Sequence, residues 1–382
     1  MDFEIDALIV GCGLCGSVIA RELAEAGKKV VVWERRSHIG GNMYDYMDDY
    51  GFLVQKYGPH TFHTKKKELY DYMCRYASWQ PYKLTCGAVW DGKYTPTPFN
   101  FTTIDTFFPP EKAAKLKETL KKAFAGREFA TVVEVLDHPD PDVRGYGEYL
   151  FQNDYAPYAA KQWGVSPGEI DLSVLKRVPL RFSYDEGYFD DPYQVMPADS
   201  FTRFFENLLD HPDIEVKLGV EALEHLRPQD GKLLIDGREN DFPVVYTGAI
   251  DELFDGVYGH LPYRSLRFEW KYEAGDGLQP APVVAYPQEA GYTRITEYKK
   301  LPVQNRPGTS YAVEYPLPYR EGVQLEPYYP VLTAESQEQY AKYKALANQV
   351  PNLILCGRLA DFKYYNMDQA LERALTISKV LL

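Results

Sequence analysis

Three stretches of the chain set lysines or arginines beside aromatic rings. Tyr158 precedes Lys161-Gln162-Trp163-Gly164. Leu175-Lys176-Arg177-Val178-Pro179-Leu180-Arg181-Phe182 is followed by Tyr188, and Tyr292-Thr293-Arg294-Ile295-Thr296-Glu297 comes later. Guanidinium forks match the oxygens of a diphosphate, and aromatic faces suit a sugar or a base. The sequence has no visible Ser-His-Asp or Cys-His grouping and no paired carboxylates in a catalytic motif, so glycosidase-type acid–base work is poorly supported.

A cofactor could supply the missing reactivity, and the first residues offer it a place. Ala7–Val10 reads as a buried strand and Leu14 to Ala26 as a helix. Lys29 to Trp33 reads as a second strand, stopping at Glu34, 18 residues beyond Gly16. Between strand and helix lies Gly11-Cys12-Gly13-Leu14-Cys15-Gly16, the dinucleotide fingerprint. Gly11 permits the turn, Gly13 lets a pyrophosphate approach the helix N-terminus, Gly16 allows close packing, and Glu34 can accept from a ribose. A second glycine pair, Gly40-Gly41, sits in Arg35-Arg36-Ser37-His38-Ile39-Gly40-Gly41-Asn42. As a second close-approach point it favours FAD over NAD; a type I′ or II′ turn is the plainer reading. The acid at 34 disfavours a 2′-phosphate, hence NADP. Cys12 and Cys15 form a C-x-x-C pattern, read either as a redox dithiol or as small residues packing the turn.

The remaining elements must carry the cationic stretches to that cofactor. Asp91-Gly92 marks a hairpin within 80–98. Helical patterns run from Pro110 to Gly126, from Phe129 to Leu136, and from Asp142 toward Trp163 with a break near Pro157. Phe201–Leu209 reads as an amphipathic helix. Ile214–Leu218, Lys232–Ile235 and 243–247 read as strands returning to the first sheet, and 263–317 is rich in strand formers. A helix near Ser336–Asn348, a strand at Asn352–Cys356 and a terminal helix capped by Asn366, with Gln369 three residues on, close the chain. This last unit would present its helix start to a flavin, where the dipole favours negative charge on the ring, and Gly357-Arg358 adds a permanent cation. The expected fold is α/β: a Rossmann-like FAD-binding domain (1–79, 196–247 and 330–382), an inserted helical domain (99–170) and an antiparallel-sheet substrate domain with a mobile loop (80–98, 171–195 and 248–329).

Composition narrows the function classes. Lysines and arginines number 42 against 55 acids, a net charge of −13, which argues against nucleic acid or an acidic membrane as partner. Five unpatterned cysteines suit a reducing compartment, and no Cys/His set has zinc spacing, so no metal is expected. The acidic amino terminus lacks a signal-peptide layout and no apolar run reaches about 18 residues, so a cytoplasmic protein is expected.

Taken together in order, these motifs make the chain resemble the UDP-galactopyranose mutases. The resemblance runs end to end, through the glycine fingerprint with Glu34-Arg35 and His38-x-Gly40-Gly41-Asn42, Gly58-Pro59-His60-Thr61-Phe62-His63-Thr64, the Lys161, Arg177 and Arg294 stretches, Val244–Asp251, Pro327-Tyr328-Tyr329-Pro330, and Gly357-Arg358-Leu359 leading to Asn366-Met367-Asp368. It implies an isomerase that interconverts UDP-galactopyranose and UDP-galactofuranose, the precursor of galactofuranose in cell-surface glycans. The implied cofactor is FAD in reduced form, attacking the anomeric carbon with no net redox change; a homodimer and an unidentified flavin reductant are implied too. Arg177, on a mobile loop, and Arg294 would hold the diphosphate. Tyr188, Tyr329, Tyr364 and Asn366 would contact substrate, while Tyr158 and Trp163 would line the sugar and nucleotide pocket. Besides Gly11, Gly13, Gly16 and Glu34, the implied cofactor contacts are Cys15, Arg35, Gly41 and Asn42; His60, Thr61 and His63 on one loop; and Val220, Thr247, Arg358, Met367 and Asp368. Three positions depart from the family pattern: Asn366 where many members have aspartate, Ala159 where several have a hydroxyl, and Asp154 where some have an aromatic. The rival reading is an FAD-dependent oxidase of the amine-oxidase type, which shares the first βαβ unit and the Gly-Gly pair; a non-catalytic nucleotide-sugar binder is a third.

Overall fold

The computed structural model describes residues 4–164, 179–320 and 325–382. Ala7–Val10 (β1) is apolar throughout because both of its faces are covered. Ala7 and Ile9 join a core with Val18, Ile19, Phe205 and Leu371, whereas Leu8 and Val10 join another with Trp33, Ile235 and Tyr343. Val30–Glu34 (β2), Ile214–Leu218 (β3), Val244–Tyr246 (β4) and Leu353–Leu355 (β5) complete a parallel sheet in the order β3-β2-β1-β4-β5. The strand order reverses beside β1, and in such sheets ligands bind in the crevice at the carboxyl end of that switch point. Leu14–Glu25 (α1) leaves β1 there, and the terminal helix Met367–Leu381 (α2) packs against α1.

A seven-stranded sheet, antiparallel except between Cys86–Trp90 and Val283–Ala285, stands beside this unit, and its long strands are Tyr263–Glu273 and Thr309–Pro318. The hairpin at Asp91-Gly92 is its outer pair, with Asp91 at φ 51 and Gly92 at φ 70. A helical layer between Phe101 and Trp163 has its own core around Trp90, Leu116, Val143 and Leu150. Lys161 in this layer braces the sheet: its ammonium donates to the carbonyls of Tyr286, Glu289 and Tyr292 at 2.6, 2.7 and 2.9 Å, immediately before the strand Arg294–Glu297. Three acceptors match the three donors of a lysine.

Three expectations are corrected. Phe129–Ala130 is a short strand paired with Leu180–Arg181, and the helix begins only at Val132, where Thr131 and Glu134 form a capping box. The break near Pro157 takes the form of a π-turn rather than a gap in the helix. The helix runs from Pro141–Leu150 through a π-turn, Phe151–Tyr155, into Ala156–Trp163, with Pro157 in the first turn of the new segment, where its missing N–H costs little. Lys232–Ile235 does not join the first sheet; it is the middle of a meander with Leu226–Gln229 and Arg238–Glu239. Among the described residues, no helix is long and apolar enough to cross a membrane.

Candidate active site

The glycine turn forms a cradle by leaving out side chains. Gly11 sits at φ 101, and a Cβ there would lie 2.0 Å from the Thr247 hydroxyl oxygen. That hydroxyl donates to the Val10 carbonyl at 2.7 Å, so β4 closes the turn from the side. A Cβ on Gly16 would lie 2.0 Å from the Gly11 carbonyl oxygen, and one on Gly41 would lie 2.8 Å from Gly13 Cα. The second glycine pair is thus pressed against the first, and the Gly40 N–H donates to the Cys12 carbonyl at 2.9 Å. Gly13 caps α1 with no side chain, leaving the first-turn N–H groups for an anion.

Gly11, Gly13, Cys15, Gly16, Gly41 and Asn42 all line one cavity. Glu34 and Arg35 line it from the end of β2, Val220 and Thr247 from beyond β3 and β4, and His60 from its loop. Arg358, Asn366 and Met367 bring the start of α2 to the same space. Asn366 caps α2 as expected, its N–H donating to Gln369 Oε1 at 2.9 Å. Glu34 also braces the turn: it is buried, and its carboxylate accepts from the N–H groups of Cys12 at 2.8 Å and Arg36 at 2.9 Å. The Cys12-x-x-Cys15 pair belongs to packing. Both thiols are free, burial pushes Cys12 up to about 12, and Cys15 donates to the Ala370 carbonyl of α2.

Beyond the start of α2 the cationic and aromatic residues converge. Tyr329 and Tyr364 stack with centroids 5.6 Å apart, and the Arg358 guanidinium lies 5.2 and 4.9 Å from their rings. Arg358 is held by the carbonyls of Tyr365 and Tyr328, at 2.8 and 3.3 Å. Arg294 is aimed by Glu314, which accepts from its Nε at 2.7 Å and from the Thr296 hydroxyl at 3.0 Å. Tyr158 shares the electrostatic surroundings of Arg294, Glu314 and Tyr329, and burial pushes its phenol up to about 12. His60 is depressed to about 4, by burial first and then by Arg358 and Arg294, so its imidazole is neutral at pH 7. Its Nδ1 lies 2.9 Å from the Gly58 carbonyl.

Other expected residues lie apart. His63, in the strand Phe62–Thr64, pairs through Nδ1 with Asp191 and stacks on Phe189 at 3.5 Å; it does not line the cavity, and nor do Thr61 and Asp368. The Asp368 carboxylate instead accepts from the Gln369 N–H in the first turn of α2. Tyr188 packs edge-on against Phe189, close to Tyr155. Arg177 and the Trp163 side chain lie outside the described residues.

Two residues of the site were missed in sequence. Glu314 is a lone acid inside the buried strand Thr309–Pro318, a misfit that could have flagged it. Glu326 lines the cavity and pairs with Arg35, and with Arg36 at 3.0 Å; burial raises its carboxyl, but the two arginines outweigh that and hold it below the usual range. It carried no sequence signal, because its partners lie 291 and 290 residues away.

Glycine cradle, buried acid, second glycine pair and two helix starts on one crevice define a dinucleotide-binding α/β enzyme of the Rossmann type. A sequence model for NAD(P)-binding Rossmann-like domains accordingly matches residues 9–76. The chain belongs to the UDP-galactopyranose mutase family, whose sequence model matches residues 153–364. It is 33% identical to the UDP-galactopyranose mutase of Mycoplasma pneumoniae, covering 99% of this chain and 96% of that protein. It is also 35% identical to the dTDP-fucopyranose mutase of Escherichia coli, covering 98% and 97%. A crystal structure of reduced UDP-galactopyranose mutase superposes with a TM-score of 0.74 at 16% identity, over 99% of this chain and 93% of that one, which shows a shared fold.

Proposed function

We propose that this isomerase interconverts UDP-galactopyranose and UDP-galactofuranose, using FAD in its reduced form. The observation that carries the reading is the convergence of Arg294, Arg358, Tyr158, Tyr329 and Tyr364 beyond the start of α2, at the edge of the dinucleotide cavity. The residues fit FAD: Gly13 leaves an opening for a pyrophosphate, Glu34 offers lone pairs to a ribose, and the start of α2 offers positive potential to a flavin ring. When bound, the reduced flavin supplies the nucleophile for the anomeric carbon of the sugar. Arg294, fixed by Glu314, holds the diphosphate both as substrate and as leaving group, with Arg177 as its second fork. Arg358 adds positive charge next to the stacked tyrosines, which wall the sugar and keep water out. Neutral His60 offers hydrogen bonds without a charge change near pH 7. Asn366 carries no charge, so no acid acts at that position. The product would serve as galactofuranose donor for cell-surface glycans.

A second reading has its own support: dTDP-fucopyranose as substrate, from the E. coli relative. The sequence departs from the family pattern at Asp154 and Ala159, at the expected base end, and burial raises the Asp154 carboxyl to about 7. Dithionite-reduced protein should be assayed with UDP-galactofuranose and dTDP-fucofuranose by chromatography of the nucleotide sugars. Ten-fold or greater preference for the UDP sugar is expected, on the order of 1.4 kcal/mol. The reverse preference would move the assignment to the second reading, and turnover of neither would sink both. Oxygen uptake with a small amine would revive the oxidase alternative, which the family match leaves with less support.

Glu326 fastens the segment carrying Tyr328 and Tyr329 onto Arg35 and Arg36 at the adenosine end. Glu326→Gln is expected to speed FAD release by about ten-fold and to flatten its dependence on salt, because the lost pair is partly exposed and screened. Stopped-flow flavin fluorescence measures both. Release at the wild-type rate would remove Glu326 from cofactor retention.

A further inference from the structure

The electrostatic surroundings of Tyr158 include one more group, the Asp154 carboxyl. Asp154 stands in the π-turn Phe151–Tyr155, with Tyr158 four residues further along the same continuous helix. Side chains so spaced share one face. Asp154 is half-buried, and no hydrogen bond among the described residues reaches its carboxyl. The titratable and charged groups around it are Tyr155, Tyr158 and Lys161 on its own helix, with Glu289, Arg294 and Glu314 on the sheet and Tyr188 beside Tyr155. Among them Lys161 is the cation that bears on Asp154, and its ammonium is already committed to three carbonyls.

A carboxylate withdrawn from water without a donor is costly. Burial raises Asp154 to about 7 although Lys161 pulls it the other way, so the group is neutral below that pH. A neutral carboxyl sets a donor O–H beside an acceptor C=O, which a carboxylate does not.

The neighbours also run in one direction. Arg358 lies against Tyr329 near the start of α2, Arg294 and Tyr158 come next, and Asp154 lies past Tyr158. A nucleotide sugar with its sugar at the flavin and its diphosphate on Arg294 therefore carries its base toward Asp154. Uracil and thymine share an imide edge, in which N3–H lies between two ring carbonyls. A neutral carboxyl meets that edge with two parallel hydrogen bonds, donating to a carbonyl and accepting from N3–H. A ribose diol fits less well, because two hydroxyl donors suit a charged carboxylate.

We propose that Asp154 reads the imide edge of the substrate's pyrimidine base through these two bonds. The inference rests on the nucleotide-sugar reading and holds for a UDP or a dTDP sugar alike.

Calorimetric titration of the FAD-loaded protein with UDP, dTDP and N3-methyl-UDP tests it. At about pH 6.5, wild type is expected to bind N3-methyl-UDP about thirty-fold more weakly than UDP, since the methyl group removes the donor. Asp154→Ala is expected to narrow that gap to about three-fold. Asp154→Asn keeps a donor beside an acceptor at every pH, and is expected to bind UDP within about three-fold of wild type. The proton then separates the two. Between about pH 7 and pH 8.5 wild type is expected to lose about ten-fold in UDP affinity as Asp154 ionises, while Asp154→Asn stays level. If Asp154→Ala does not fold, the comparison with Asp154→Asn decides alone. A wild type that binds neither UDP nor dTDP would overturn the proposal together with the nucleotide-sugar reading. Tight UDP binding that tolerates the methyl group, a gap unchanged in Asp154→Ala, or equal pH dependence in wild type and Asp154→Asn would overturn the proposal alone.

Discussion

Replacing Arg294 by alanine is expected to lower kcat/KM by about 10²–10³-fold, and to lower stability as well. Both effects come from the same contact. Glu314 is fully buried and receives its charge-assisted hydrogen bond from Arg294 Nε, so removing the arginine strands a carboxylate inside the sheet. Stranding one partner of a buried pair costs about 3–5 kcal/mol of folding free energy. A loss of activity alone would therefore be ambiguous. Arg294→Lys separates the terms: it keeps a cation for Glu314 but gives up the planar fork for the diphosphate. Its melting temperature is expected to stay close to wild type while kcat/KM falls by at least about ten-fold. Steady-state kinetics and thermal melts on both variants decide the matter, and near-normal rates in both would remove Arg294 from the site.

The glycines of the fingerprint are expected to fail in different ways. Gly16→Ala pushes a methyl group to 2.0 Å from the Gly11 carbonyl, a backbone atom that cannot rotate away. Overpacking of this kind costs about 1–3 kcal/mol or more, and it disturbs the turn whether or not cofactor is present. Gly13 is different. Its backbone is extended at φ −82 and ψ −172, and an added Cβ would find its nearest neighbour, Gly41 Cα, at 3.8 Å, an ordinary contact. The apoprotein of Gly13→Ala is therefore expected to melt within about 1 °C of wild type, as for a mild surface change. FAD affinity is expected to fall by about 100-fold, because the methyl group takes the space a pyrophosphate needs. Apoprotein melts and flavin titrations report the two quantities separately. A Gly13→Ala protein that binds FAD normally would show that the cradle serves packing alone.

That contrast also marks how much was legible in the sequence. β1, α1, β2 and the cradle were readable because their causes are local: apolar runs covered on both faces, a helical period, and glycines demanded by close approach. The abutment of Gly41 on Gly13 was not legible: the second glycine pair suits a tight turn equally well, and both of its residues do adopt positive φ, 88 and 54. The convergence of Arg294, Tyr329 and Tyr364 was legible only through resemblance; nothing in their spacing brings residues 294, 329 and 364 together. Glu314 and Glu326 escaped because an acid's value lies in its partner, and pairing across the fold leaves no periodic trace. Lys232–Ile235 shows a related limit: a short apolar run gives the strand but not the sheet it joins. Pro157 misled because proline ends a helix only in its interior, and here the π-turn starts a new first turn beneath it.

In the proposed reaction electrons are required but not consumed. Anaerobic incubation of the dithionite-reduced and the oxidised protein with UDP-galactofuranose, with the flavin spectrum followed throughout, tests it directly. Many turnovers to UDP-galactopyranose by the reduced protein, with its spectrum still that of reduced flavin at the end, and no turnover by the oxidised protein, is the expected result. Equal turnover by oxidised protein, or reoxidation of the flavin in step with product, would contradict it.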